Sequence, residues 1–287
     1  MTASKWTTID LTSDHPALDE FGIELPDLML LPIVTKVAGP AAEGDKTPSA
    51  QSEISIPDTL AILPLRGVVV YPLTAVPLTV GQPRSIKLVD EAAVGQRIIG
   101  LVTSQNPELE TPGPADLYQY GTAAAVHRLF RAPDGTIRLL VQGLARFRTV
   151  EYTATEPYLK ARIELAPEAA EAGIEVEALM RNVAEQYQRI GELAPSIPAE
   201  MLSSVVSVED PKQLVYTVAT YQRMDLADAQ QLLDLNSVTD KLKKLTALLA
   251  KELEVLELGR KIQSEAQSEM EKVQRDYYLR EQMKAIQ

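Results

Sequence analysis

The sequence predicts an α+β chain, in which a small mixed β-barrel-like domain is followed by an α-helical bundle and a long C-terminal helix. Three observations carry that reading. Short β-type runs separated by turn residues fill positions 57–165, the apolar period becomes helical after Pro167, and no proline interrupts positions 238–287. At 287 residues the chain suits about two domains at roughly 100–200 residues each. The divisions fall at 1–53, an acidic flexible extension; 54–166, the β-rich domain; 167–237, the bundle; and 238–287, the long helix.

The extension opens without a basic and apolar leader, and its tract GPAAEGDKTPS at 39–49 has too little apolar surface to build a core. Upstream, FGIELPDLMLLPIV at 21–34 is more apolar than a tail requires, yet Pro26 and Pro32 bar a helix across it. It reads as a loose segment packing on its own domain, or as a partner-docking motif.

In the β-rich domain, strands are expected at Thr59–Leu65, Ala75–Val80, 97–103, 118–130, 136–142, 145–152 and 158–165. Pro133, Asp134 and Gly135 lie between AAAVHRLFR and TIRLLVQG, so those two runs should form a hairpin. One helix interrupts at about 84–94, with Pro83 in its first turn and Ile86, Val89 and Ala93 on one face. Positions 106–116 carry three prolines and form an exposed loop.

Beyond Pro167, Val176, Leu179, Val183, Tyr187 and Ile190 recur at helical spacing, and the helix should end near Gly191. Shorter helices are expected at 198–206, 210–221 and 226–233, with Ser207 or Asp210, Asp225 and Ser237 as caps. The last 50 positions can form one helix of about 75 Å at 1.5 Å per residue. Its heptad seam is good at Leu242, Leu245 and Leu249 and poor at Glu252 and Gly259, so the first half should pack on the bundle and the rest leave it. The final MKAIQ has no stop signal, which reads as a chain continuing into something longer.

Composition excludes much chemistry. With no cysteine there is no disulfide or thiol nucleophile, and His15 and His127 are the only histidines. His127 sits in an alternating strand and reads as structural; no spacing of carboxylates singles out an acid–base pair. The nearest approach to a phosphate loop, GPAAEGDKT at 39–47, lacks the Gly-Lys junction and a following helix. No catalytic residue, metal ligand or cofactor-binding residue is therefore assigned, and no span is apolar enough for a membrane helix. A cytoplasmic location is the expectation.

Net charge is −12, distributed as −5 over 1–51, 0 over 52–165, −8 over 166–258 and +1 over 259–287. The one local basic feature is Arg128, Arg131, Arg138, Arg146 and Arg148 around the hairpin, with Arg146 and Arg148 on one strand face. Aromatic residues are only 5% of the chain, so stacking platforms for nucleic acid are scarce and a solvated face is the better reading.

The segments LPLRGVVVYP (63–72), VPLTVGQPRSI (76–86), GTAAAVHRLFRAPDGTIRLLVQGLARFR (121–148), EDPKQLVYTVA (209–219) and MEKVQRDYYLREQMKAIQ (270–287) resemble the N-terminal region of the bacterial ATP-dependent protease Lon. The resemblance covers about 54–287. It implies a PUA-like β domain, a helical bundle, and a long helix leading to ATPase and peptidase modules outside this sequence. ATP and magnesium would bind that ATPase module, and the serine–lysine dyad would lie in the peptidase module; this region would neither hydrolyse ATP nor cut peptides. The implied role is recognition of damaged or unfolded protein substrates and support of a homohexamer. Candidate substrate contacts are Val69, Tyr71, Pro72, Leu73 and Val76, expected as an accessible apolar run. Candidate contacts with neighbouring subunits or modules are Met270, Tyr277, Tyr278 and Met283. Two other readings stay open: a free-standing module binding RNA through the arginine face, and a structural oligomerisation spacer.

Overall fold

Six strands wrap into a mixed sheet in the computed structural model of the chain, which describes residues 37–38, 54–169, 171–194, 202–203, 205 and 207–286. The expected linker at 39–49 and the apolar segment at 21–34 lie outside the described residues, as does most of the helix expected at 198–206. Two short strands, β1 (Val37–Ala38) and β2 (Ile54–Ser55), pair in parallel just before the barrel.

The barrel strands are β3 (Thr59–Leu65), β4 (Ala75–Val80), β5 (Ile98–Thr103), β6 (Tyr120–Arg131), β7 (Ile137–Ala154) and β8 (Lys160–Leu165). Their order is β4-β7-β6-β5-β3-β8, and β8 also pairs with β7, which closes the ring. Only the β3–β5 pairing is parallel within this sheet. The hairpin between β6 and β7 turns where expected: Gly135 has φ +82°, and the Asp134 carboxylate accepts from the Thr136 N–H at 3.0 Å.

One difference from the sequence reading concerns β7. The expected runs 136–142 and 145–152 are a single strand of 18 residues, bent at a bulge where Ala123 pairs Ala145 but Ala124 pairs Gly143. The glycine reads as a break in sequence because it weakens strand propensity, yet here it serves a close backbone approach. The helix expected at 84–94 is α1 (Pro83–Val94), with Pro83 at its start. Its buried face is Ser85, Leu88 and Val89, with Ile86, Ala92 and Ala93 half-buried at its margins.

The helical part comprises α2 (Ile174–Leu193), α3 (Pro211–Tyr221), α4 (Leu226–Asp234) and α5 (Val238–Ile286). Asp210 caps α3, its carboxylate accepting from the N–H groups of Lys212 and Gln213 at 2.8 and 2.9 Å. Ser237 accepts from the Asp240 N–H at 3.2 Å at the start of α5, whereas the Asp225 side chain makes no capping bond. α2 and the first turns of α5 bury Val176, Val183, Tyr187 and Ile190 against Leu242, Leu245, Leu249 and Leu253. Leu253 takes the place that a strict heptad gives to Glu252, because a straight helix keeps a 3.6-residue period. Leu256 is the last residue of α5 packed on this core, and residues 257–272 are exposed. The long helix therefore leaves the bundle as the heptad pattern predicted.

Candidate functional site

The barrel and bundle meet through the segment between β3 and β4. Alternation divides its side chains: Val70 enters the barrel core, while Val69 and Tyr71 enter the bundle core. The Val70 carbonyl accepts from Thr122 Oγ1 at 2.6 Å, and the Val68 carbonyl from Thr103 Oγ1 at 2.9 Å, which ties the segment to β6 and β5. Tyr71 is 1% exposed, donates its hydroxyl to the Ala229 carbonyl of α4 at 2.9 Å, and stacks on Tyr216 of α3. Burial pushes the Tyr71 phenol well above its ordinary range.

The chain reverses just after Tyr71. Leu73 adopts φ +62° and donates its N–H to the Gly143 carbonyl at 3.0 Å; the Gly143 N–H donates to the Thr74 carbonyl at 2.9 Å. A side chain at position 143 would place its Cβ 2.1 Å from the Tyr71 carbonyl oxygen, which explains both the glycine and the bulge.

These contacts correct the expected accessible apolar run. Val69, Tyr71, Pro72 and Val76 are buried within this chain and only Leu73 is partly exposed, because the run spans two cores rather than facing solvent. A sequence does not show which second core receives the alternate side chains.

Arg146 forms the second tie. Its guanidinium, 2% exposed, donates to the carbonyls of Leu233, Asp234 and Leu235 at the end of α4, to the Ala166 carbonyl, and to Asn236 Oδ1, all at 2.7–3.0 Å. It also lies over the Tyr120 ring at 5.0 Å. A planar fork with five donors suits this fan of acceptors, and its charge complements the negative end of the α4 dipole. Lys241 of α5 reaches the same helix end from the other side, donating to the carbonyls of Leu232 and Leu233. Glu168, bonded by the Tyr216 hydroxyl, lies 3.8 Å from Arg146 and 3.9 Å from Lys241. Desolvation outweighs the Glu168 attraction and lowers the Lys241 ammonium to about 7.

The expected solvated arginine face holds at Arg128, Arg131 and Arg148, which are exposed, and is corrected at Arg146. Arg148 is exposed and pairs with Glu164 at 2.8 Å, and Arg131 pairs with Asp90, but Arg146 is covered by the bundle. His127 is exposed, with Nε2 2.7 Å from Gln142 Oε1. Gln82 and Arg84 hold the loop at 106–116, bonding the carbonyls of Glu110 and Pro112. Among the described residues, no three His, Asp or Glu side chains converge as for a metal ion, and no helix is long and apolar enough to cross a membrane. A groove of about 420 Å³ lies beside β8, lined by Ser55 to Asp58 and Ile163 to Leu165.

The remaining feature is the exposed outer stretch of α5. Val255, Leu258, Ile262 and Met270 are exposed there at spacings of three, four and eight residues, one side of a helix with no partner among the described residues. Met270 is 72% exposed, while the side chains of Tyr277, Tyr278 and Met283 lie outside the described residues.

Residues 59–251, spanning the barrel, the joint and the inner turns of α5, match the family model described as the ATP-dependent protease La (LON) substrate-binding domain. The chain belongs to this family. It is 49% identical over 237 residues to Lon protease 1 of Herpetosiphon aurantiacus, covering 81% of this chain and 29% of that protein. It is 42% identical over 232 residues to the Lon protease of Dictyoglomus thermophilum, again covering 81% and 29%. The chain thus spans under a third of these relatives' length. Among solved structures, the N-terminal domain of the Mycobacterium avium complex Lon protease superposes with a TM-score of 0.55 at 22% identity, covering 67% of this chain and 98% of that one, a likeness of fold. In Lon terms, the matched stretch is the substrate-binding region, and the outer stretch of α5 beyond Lys251 lies outside the family model.

Proposed function

We propose that this chain is the non-catalytic substrate-recognition and hexamer-assembly region of a cytoplasmic, ATP-dependent Lon serine protease acting on damaged, unfolded and short-lived regulatory proteins. The observation that carries the reading is the match across 59–251, which takes in both cores and the joint between them. The relatives at 49% and 42% identity carry the Lon name over more than three times the matched length, so ATP hydrolysis and peptide cleavage belong, on this reading, to modules beyond this sequence.

Recognition of unfolded chains needs accessible apolar surface that tolerates varied sequence. With Tyr71 and Val76 closed off, the half-buried Leu73, the groove between Ser55 and Leu165, and the exposed Val94, Phe130 and Val150 are accessible apolar places on the barrel domain, and the outer α5 stripe serves assembly. An RNA-binding reading is disfavoured because Arg146 and Arg148 are engaged by α4 and Glu164 and the bundle is acidic.

The test is binding of the purified chain to one labelled model protein in folded and permanently unfolded forms, at two salt concentrations, with mass by light scattering. Salt-tolerant preference for the unfolded form is expected. Equal or absent binding by a chain that is oligomeric would overturn recognition and leave the spacer reading.

A further inference from the structure

Glycine costs an exposed helix stability, so a glycine inside a helix calls for a reason. Two reasons operate elsewhere in this fold: Gly67, Gly135 and Gly173 take positive φ, while Gly143 and Gly191 would drive a Cβ into Tyr71 and Leu202. Neither applies to Gly259. It lies within α5 in helical conformation, and a Cβ placed there would meet nothing within 4 Å. What the glycine leaves is its effect on the helix itself.

Its position gives that effect a consequence. Leu256 is the last α5 residue packed on the bundle core, and the ion pair between Glu257 and Arg189 of α2 is the last tie recorded from the bundle to this helix. Gly259 comes two residues later, at the start of a stretch exposed on every side through residue 272. Before it, α5 is held by tertiary packing; after it, among the described residues, by local helix energetics, including the Gln267 to Glu271 bond one turn apart. The lowest-propensity residue short of proline therefore occupies the boundary between the held and unheld parts.

We propose that Gly259 is a hinge, about which the outer part of α5 swings as a rod relative to the barrel and bundle. The inference does not depend on what polypeptide the domain recognises. The outer rod runs from 260 to 286, roughly 40 Å at 1.5 Å per residue. A bend of about 20° at its root moves the far end by about 14 Å. The hinge re-aims Ile262 and Met270, and anything attached beyond them, without unfolding either core.

The chain has no cysteine, so spin labels can be placed without background. The reporting pair is Ala178→Cys on α2 with Ser268→Cys on the rod, and the control pair is Ala178→Cys with Ala247→Cys, inside the bundle; all three positions are exposed. Double electron–electron resonance should give a broad distance distribution for the reporting pair and a narrow one for the control. Gly259→Ala should narrow the first, reducing the bent population about fivefold, the factor for roughly 1 kcal/mol of helix propensity. Amide exchange on the unlabelled chain should be locally fast around 256–263 and slower again at 264–272. A reporting pair as narrow as the control, no response to Gly259→Ala, or exchange that simply quickens toward the C-terminus would each overturn the hinge.

Discussion

Tyr71 and Tyr216 stack across the joint with ring centroids 5.4 Å apart and planes 20° from parallel, one ring from the barrel and one from the bundle. Together with the Tyr71 hydroxyl on the Ala229 carbonyl, this pair makes the two parts one packed unit. Tyr71→Ala should cost about 3–5 kcal/mol, as for other large aromatic truncations. Tyr71→Phe keeps the stack and loses one hydrogen bond, costing about 1–2 kcal/mol. Urea unfolding of the two variants checks the order; equal losses would mean that the hydroxyl, and not the ring, holds the joint.

Gly143→Ala tests the turn beneath that stack. The added Cβ meets the Tyr71 carbonyl oxygen, a backbone atom that cannot rotate away, so the turn from Tyr71 to Thr74 must shift. A loss of about 1–3 kcal/mol is expected. Gly259→Ala, with open space around it, should instead leave the unfolding midpoint of the body unchanged. Thermal unfolding of both variants makes the contrast.

Arg146 is the other tie, and its replacement should be severe. Arg146→Ala takes the guanidinium from the Asp234 and Leu235 carbonyls at the end of α4 and from the Ala166 carbonyl, leaves the Leu233 carbonyl to Lys241 alone, and leaves Glu168 with one fewer cation, so a loss of about 3–5 kcal/mol is expected. Arg146→Lys should recover little, since a single ammonium cannot reach that spread of acceptors. Arg148→Ala, on an exposed pair with Glu164, should change stability by under about 1 kcal/mol. Denaturant midpoints for the three variants decide it.

The contrast between Arg146 and Arg148 also marks what the sequence could and could not convey. Strand alternation placed both on one face, and the strands, hairpin and helices that form the fold follow from local periodicity and turn chemistry. Which outward-facing residue is then covered by a helix 87 or more residues later is a long-range matter with no local signal. The same holds for Val69 and Tyr71, whose alternation was plain but whose second core was not. The exit of α5 was legible because it is local: leucines stop where the polar stretch begins.

Lys241 predicts a pH dependence with a definite sign. Unfolded, the ammonium holds its proton up to about the ordinary 10.5; folded, it releases it near 7. Between those values the unfolded state binds more protons, so stability rises with pH across roughly 7 to 10, by at most about 1.4 kcal/mol per unit. The buried tyrosines act in the opposite sense. Tyr71, Tyr187 and Tyr216 keep their protons above the usual phenol range, so their contribution is lost as pH climbs past 10. Urea unfolding at pH 7, 8.5 and 9.5 should show the rise in the native chain and a flatter profile in Lys241→Met; parallel profiles would assign the slope to other groups.

Ending the chain at Leu258 separates the body from the rod. Every described α5 side chain in the bundle core precedes that point, and residues 259–272 are exposed. Unfolding free energy should therefore stay within about 0.5 kcal/mol of the full chain, as for changes remote from packed features. Self-association should respond differently. Ile262 and Met270 are removed with the rod while Val255 remains, so any concentration-dependent mass seen for the full chain by light scattering should fall to that of a monomer. A shortened chain that still assembles would place the assembly surface on the barrel or bundle, and a shortened chain that unfolds would mean the rod packs on the body in solution.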